Sequence, residues 1–165
     1  MGVRGGALLE NLGEVSLEAR PAPGADLTSV RAIGRLIAIR VRRVASVADV
    51  DRVHADILRA MGPSSAADRI ACTDCRAAPP LPPGVVDAWS RGMRELNHRI
   101  ERSAMLVDTG SAMFTLQAER AVRCAGKAER RLFTDPDVLL RWLDGLLVEG
   151  ERAELRRFLS RSADS

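Results

Sequence analysis

The sequence predicts an α/β fold: a mixed sheet of about five strands, helices packed against it, and one further helix towards the C-terminal end. Three observations carry this expectation. Short apolar runs with strand-like patterning alternate with longer stretches whose apolar residues recur every three or four positions, the exchange of periods expected when strands and helices take turns. Two strand-like runs precede the first helical stripe, which argues against a simple doubly wound arrangement. The chain has 165 residues, of which 46% are hydrophobic and only 3% aromatic; that suffices for one core, filled by Leu, Val, Ile, Ala and Met rather than by rings.

Residues 1–13 are Gly-rich with little to pack and are expected to form a flexible leader, followed by an α/β domain over 14–147 and a helical appendage with a flexible end over 148–165. In EVSLEAR (14–20), Val15, Leu17 and Ala19 alternate with polar neighbours, as in a strand with one buried face. After the break PAPGADLTS, the run LIAIRVR (36–42) puts Leu36, Ala38, Arg40 and Arg42 on one face and Ile37, Ile39 and Val41 on the other. These two strands are expected to pair antiparallel across a long loop rather than a tight hairpin. From Ser46 the period lengthens: Val50, Val53, Ile57 and Met61 form a helical stripe, Ser46 and Asp49 resemble a capping box, and Gly62-Pro63 stops the helix.

The run RIACTD (69–74) lacks strict alternation and reads as a strand buried on both faces, ended by Pro79, Pro80, Pro82 and Pro83. A helix over about 84–99 carries Val85, Val86, Trp89, Met93, Leu96 and Ile100 along one side. SAMLVDT (103–109) is the next strand, and Gly110 and Ser111 lead into a helix over 112–125 whose inner side is expected to hold Met113, Leu116 or Gln117, Ala121 and Cys124. RRLFT (130–134) is a further strand. In TDPD, Thr134 is placed to cap a helix that Pro136 and Asp137 favour, with Val138, Leu139, Trp142, Leu143 and Leu146 as its core stripe. The helix over 151–161 has Leu155, Phe158 and Leu159 as anchors, able to dock within the chain or on another subunit.

The net charge is +3, with 25 basic residues of which only Lys127 is lysine. Basic and acidic residues are interspersed, and neither aromatic interleaving nor a recognition motif accompanies the arginines at 40, 42, 43, 120, 123, 130 and 131, so nucleic acid is not the expected partner. Three cysteines make a poor disulfide framework. No signal-type apolar core follows MGVRGG and no run reaches the length of a membrane span, which makes a cytoplasmic location the expectation.

Cys72 and Cys75 form the one CxxC spacing, the arrangement of a redox pair or of half a metal site. A redox pair belongs at a helix start, however, and here the spacing runs from a strand into a proline-rich loop. Cys124, His54 and His98 occur singly and complete no metal pattern. Asp74 and Asp108 end successive strands, where their carboxylates could share a rim or simply shape turns and pair with arginine. Thr109 and Ser111, in Asp108-Thr109-Gly110-Ser111, stand where a hydroxyl caps a helix, binds an anion or accepts a phosphoryl group. Ser103 has no GxSxG context, and no glycine-rich phosphate loop is present.

The ordered pieces RIACTDCR, ERSAMLVDTGSAMFTLQAER and RRLFTDPDVLLRWL resemble the small bacterial STAS/SpoIIAA-like family, particularly its Sec14-like branch, over about residues 14–147. The resemblance lies in the D-x-R of Asp74 and Arg76, in Ala104, in the F-x-D of Phe133 and Asp135, and in Trp142-Leu143. It implies a noncatalytic regulatory or scaffold domain without a cofactor, acting through protein–protein interaction, with homodimerisation through the terminal helix as one form. Small-molecule or lipid binding is the alternative, and thiol redox or metal chemistry at Cys72 and Cys75 the remote one. Asp74, Arg76, Asp108, Thr109 and Ser111 are the candidates for a strand-end or interaction surface. Phosphorylated members carry a D-S-[ST]-G-type loop after the central strand; Asp74-Cys75-Arg76-Ala77 stands there instead, so the phosphoswitch is not carried over.

Overall fold

The computed structural model describes residues 28–161. Five strands form one sheet in the order β1-β2-β3-β4-β5: β1 Thr28–Ile33, β2 Leu36–Val41, β3 Arg69–Asp74, β4 Ile100–Leu106 and β5 Arg130–Phe133. β1 runs antiparallel to β2, and every other neighbouring pair is parallel. The helices are α1 Val47–Met61, α2 Val85–Glu95, α3 Ala112–Ala125, α4 Pro136–Asp144 and α5 Glu149–Ser160.

The partner of β2 corrects the sequence reading. The expected strand 14–20 lies outside the described residues, and β2 pairs with Thr28–Ile33, a stretch that the sequence pattern assigns to the long loop. The connection is a tight hairpin in which Ile33 faces Leu36 across Gly34 and Arg35. Gly34 has φ of +59°, the left-handed conformation that a two-residue hairpin turn demands and that side chains resist.

Because the order advances steadily from β2 to β5, the three crossover helices α1, α2 and α3 share one face of the sheet. Ile37, Ile39, Val41, Ala71 and Met105 meet them there, together with Phe114, Ala118, Ala121 and Ala125 of α3. The opposite face presents Leu36, Ala38, Ile70, Cys72, Ala104 and Leu106 to Leu139 and Leu143 of α4 and to Leu155, Phe158 and Leu159 of α5. β3 is therefore buried on both faces, as its unbroken apolar run requires. The terminal helix, read from sequence as an appendage, is part of this second core.

Helix starts follow local chemistry with one correction. Ser46 Oγ accepts from Asp49 N at 3.2 Å, while the Asp49 carboxylate accepts from Ala45 N at 2.9 Å, one residue before the position a capping box would use. At α4 the cap is Asp135 rather than Thr134: its Oδ1 accepts from Asp137 N at 2.7 Å and Val138 N at 3.3 Å.

The helix ends give several of the arginines a use. Each helix leaves its last carbonyls without an internal donor, and at all five described helices a guanidinium from another element supplies one. Arg99 donates to Gly62 O just beyond α1 at 2.6 Å, Arg130 to Met93 O in α2 at 2.8 Å, and Arg94 to Cys124 O in α3 at 2.7 Å. Arg102 donates to Trp142 O in α4 at 2.8 Å. Arg76 donates to Leu159 O in α5 at 2.6 Å, and Arg40 to Phe158 O beside it. A planar cation with five donors suits the negative end of a helix, and these six arginines, of 25 basic residues, are used in this way.

Candidate functional site

β3 delivers Asp74 to the end of the sheet opposite Arg40 of β2, with which it is in register. Asp74 is only 1% exposed. Its carboxylate accepts two parallel bonds from Arg76, Nε to Oδ1 and Nη2 to Oδ2, each at 3.0 Å, and accepts from the Arg76 amide at 3.2 Å. Arg40 Nε lies 3.7 Å from Oδ2, and its guanidinium stacks 4.4 Å from the centre of the Phe158 ring. Burial lowers the affinity of Arg40 for its proton, Asp74 opposes that effect, and Arg42, Arg76 and Arg161 reinforce it. Asp74 and Arg76 thus join the strand end to the last turn of α5.

The other end of α5 is tied down by a residue that sequence reading passed over. Glu151 is buried; its Oε1 accepts from Arg35 N in the β1–β2 turn at 2.6 Å, and its Oε2 accepts from Val148 N at 3.1 Å. A Cβ on Gly34 would stand 2.5 Å from that Oε1, so glycine there also makes room for the carboxylate. The N-terminal turn of a helix is where a carboxylate is expected. Its distant partner, 116 residues away, has no local signal.

Cys72 and Cys75 are divided between the faces: Cys72 packs with Leu36 and Leu139 in the second core, and Cys75 with the first. Burial pushes both thiols up, with Asp74 adding to the shift. Neither is presented as a thiolate for metal or disulfide exchange. Cys124, expected on the inner side of α3, is exposed. Among the described residues, no group of three or more His, Cys, Asp and Glu side chains is placed to hold a metal ion.

Asp108 and Asp74 do not form a carboxylate pair. Asp108 is exposed beyond β4, and among the described residues no ion pair or hydrogen bond engages its carboxylate. Thr109 is exposed and Ser111 half-buried at the start of α3, where the Ser111 hydroxyl makes no capping bond. The Thr115 hydroxyl donates instead to Ser111 O at 3.0 Å. The face of α3 is turned relative to expectation. Phe114, Ala118, Ala121 and Ala125 go inward, leaving Met113 58% and Leu116 61% exposed. Gln117 links α3 to the proline loop, accepting from Leu81 N at 2.7 Å and donating to Leu81 O at 2.9 Å.

Between α1 and α2 lie two adjoining cavities of about 50 Å³ each, sharing Val53, Ile57, Trp89, Met93 and Leu96. His54 lines the outer one, while Thr73, Ser103 and Arg130 reach the inner one. Arg130 is buried and donates to Asn97 Oδ1 at 2.9 Å, Ser103 Oγ at 3.0 Å and Met93 O, with no carboxylate of the described residues in ion-pair range; burial lowers its pKa to about 10. His54 and His98 occupy helix-side and exposed positions, and His54 Nδ1 lies 3.6 Å from Glu95.

No protein-family model matches the chain. Comparison with curated proteins likewise gives no match. Among solved structures, the chain is similar to an uncharacterised protein of the DUF3478 family with a SpoIIAA-like fold from Shewanella loihica PV-4, at 14% identity and a TM-score of 0.53, over 70% of this chain and 91% of that one. At that identity the likeness concerns architecture: this mixed five-stranded sheet, with its packed helices and C-terminal helix, is STAS/SpoIIAA-like.

Proposed function

We propose that the protein is a noncatalytic regulatory or scaffold domain that works by binding another protein through the outer face of α3. The observation that carries this reading is the pair Met113 and Leu116, each more than half exposed and one helical turn apart. Polar residues frame them: Asp108, Thr109 and Ser111 precede the helix, and Arg120 pairs with Asp87 at 2.8 Å. An apolar centre within a polar rim is the usual anatomy of a recognition surface. Removing two such side chains from water is worth roughly 2–3 kcal/mol at their present exposure, enough to separate binding from nonbinding by more than tenfold.

A homodimer through the terminal helix receives less support, since Leu155, Phe158 and Leu159 are already covered within the chain. The full chain and a Met113→Ser/Leu116→Ser variant would each be titrated against a protein captured by the full chain, with self-association followed by sedimentation. The expected outcome is affinity lowered at least tenfold with an unchanged melting temperature; equal affinity would remove α3 as the binding surface.

The α1–α2 cleft favours a second reading, in which the domain binds a small molecule. Its apolar walls close on a few polar groups, as ligand pockets do. Its volume is well below the roughly 300–1,000 Å³ of ordinary ligand sites, which favours a small ligand over a lipid chain. Native mass spectrometry of the full chain, before and after organic extraction, would reveal an added mass; a Val53→Trp variant should lose it.

A further inference from the structure

We infer that the pocket between β1, β2 and the end of α5 is a binding site for a phosphate monoester. It has a volume of about 210 Å³ and is lined by Ser29, Arg31, Arg40, Arg157 and Arg161, with Glu154 as its one acidic residue and Phe158 at its floor. It is larger than the ~150 Å³ cavity that admits a benzene-sized molecule.

The position of the pocket follows from the topology. Ser29 lies opposite Arg40 in the β1–β2 register, and Arg31 lies two residues along β1, so all three point to the face that α5 covers. α5 packs over β2, which turns Ser29 and Arg31 of β1 into one wall of the pocket and the last turns of α5 into the other.

The charge is unbalanced. Of its four guanidinium groups, Arg157 is paired with Glu154 and Arg40 lies 3.7 Å from the Asp74 carboxylate behind it, which leaves two positive charges unanswered. Among the described residues, the side chains of Arg31 and Arg161 make neither hydrogen bond nor ion pair. Arg40 Nε is buried without a hydrogen-bond acceptor. The negative end of α5 does not fill the need, because Phe158 O and Leu159 O are taken by Arg40 and Arg76, and Arg157 O by the Ser160 hydroxyl. A phosphate monoester brings close to two negative charges and three acceptor oxygens, and the guanidinium fork matches phosphate oxygens in pairs. A single carboxylate would leave most of these donors unused.

The group could arrive on a soluble metabolite or on a lipid headgroup, and two arms distinguish the sources. The full chain is titrated calorimetrically with glycerol 3-phosphate, a soluble phosphate monoester, in 150 mM salt, and cosedimented with phosphatidylcholine vesicles with and without phosphatidic acid. Saturable one-site binding in the first arm supports a soluble ligand; phosphatidic-acid-dependent cosedimentation alone supports a headgroup. In either case Arg31→Ala/Arg161→Ala should weaken binding at least tenfold without moving the melting temperature, and Arg123→Ala, remote on α3, should leave it unchanged. No binding in either arm, or binding that all three proteins show equally, overturns the proposal.

Discussion

Where α1, α2 and α3 cover the sheet, contact is mostly apolar, with Arg130 as a buried polar exception, and incompletely filled; where α5 covers it, contact is closed at both ends by polar groups. The first face has Phe114 and a run of alanines drawn tightly onto the strands, with the α1–α2 cavities to one side. On the second, Glu151 fastens one end of α5 to the β1–β2 turn, while Arg40, Asp74 and Arg76 fasten the other to the strand ends. The apolar face tolerates imperfect fit because dispersion and burial have no direction. The stapled face is directional, and it fixes where α5 sits as well as how firmly.

The largest expected effect comes from breaking the stapled face at its buried carboxylate. Asp74→Ala leaves Arg40 and Arg76 without their anion, and should cost about 3–5 kcal/mol in urea unfolding, with early loss of amide protection in α5. A cost below about 1 kcal/mol would mean that the cluster behaves like a surface pair. At the other end of the helix, Glu151→Ala should cost about 2 kcal/mol, because Arg35 N and Val148 N both lose their acceptor. If the two staples act independently, the double variant should show the sum of the two losses.

Titration distinguishes the faces through their buried ionisable groups. Cys72 and Cys75 have thiol pKa values raised in the folded chain from a reference of 9.0. Above pH 9 the unfolded chain releases these protons first, so stability should fall by up to about 1.4 kcal/mol per pH unit for each thiol. Arg130, lowered to about 10 when folded, has the opposite sign: above pH 10 the folded state releases its proton first, and the decline should flatten. Urea unfolding between pH 8 and 11 checks both, and Cys75→Ala should remove about half the early slope. The smallest effect sharpens the apolar side. A methyl group at Gly92 would stand 3.8 Å from His54, an ordinary contact, and Gly92 lines the outer cavity within α2. Gly92→Ala should stabilise the protein by about 1 kcal/mol, read as a higher urea midpoint.

Legibility from sequence followed the same division. β3 was readable at its bounds because a strand buried on both faces announces itself as an apolar run. β1 was not: it is an edge strand with Ser29, Arg31 and Ala32 exposed, and its one local sign was Gly34 in a two-residue turn. α3 was placed correctly but turned, because close packing selected small alanines for the inner face and left the larger Met113 and Leu116 outside. The D-x-R spacing pointed to Asp74 and Arg76, while Arg40, Glu151 and the arginine caps depend on partners that only the tertiary structure brings near. Phe133, Asp135 and Trp142, noted through family resemblance, have physical uses: Asp135 starts α4, and the Phe133 and Trp142 rings meet 5.3 Å apart.

The attachment of α5 to the first hairpin has a consequence for the order of events during synthesis. The bonds from Arg35 to Glu151 and from Arg40 to Phe158 span 116 and 118 residues. A chain emerging from the ribosome at about 5–20 residues per second can build the hairpin and the crossover units early, yet the far face of the sheet stays open for several seconds until α5 arrives. During that interval Leu36, Ala38, Ile70 and Cys72 have no α5 above them, and this apolar face is open to other nascent chains until α5 has been made.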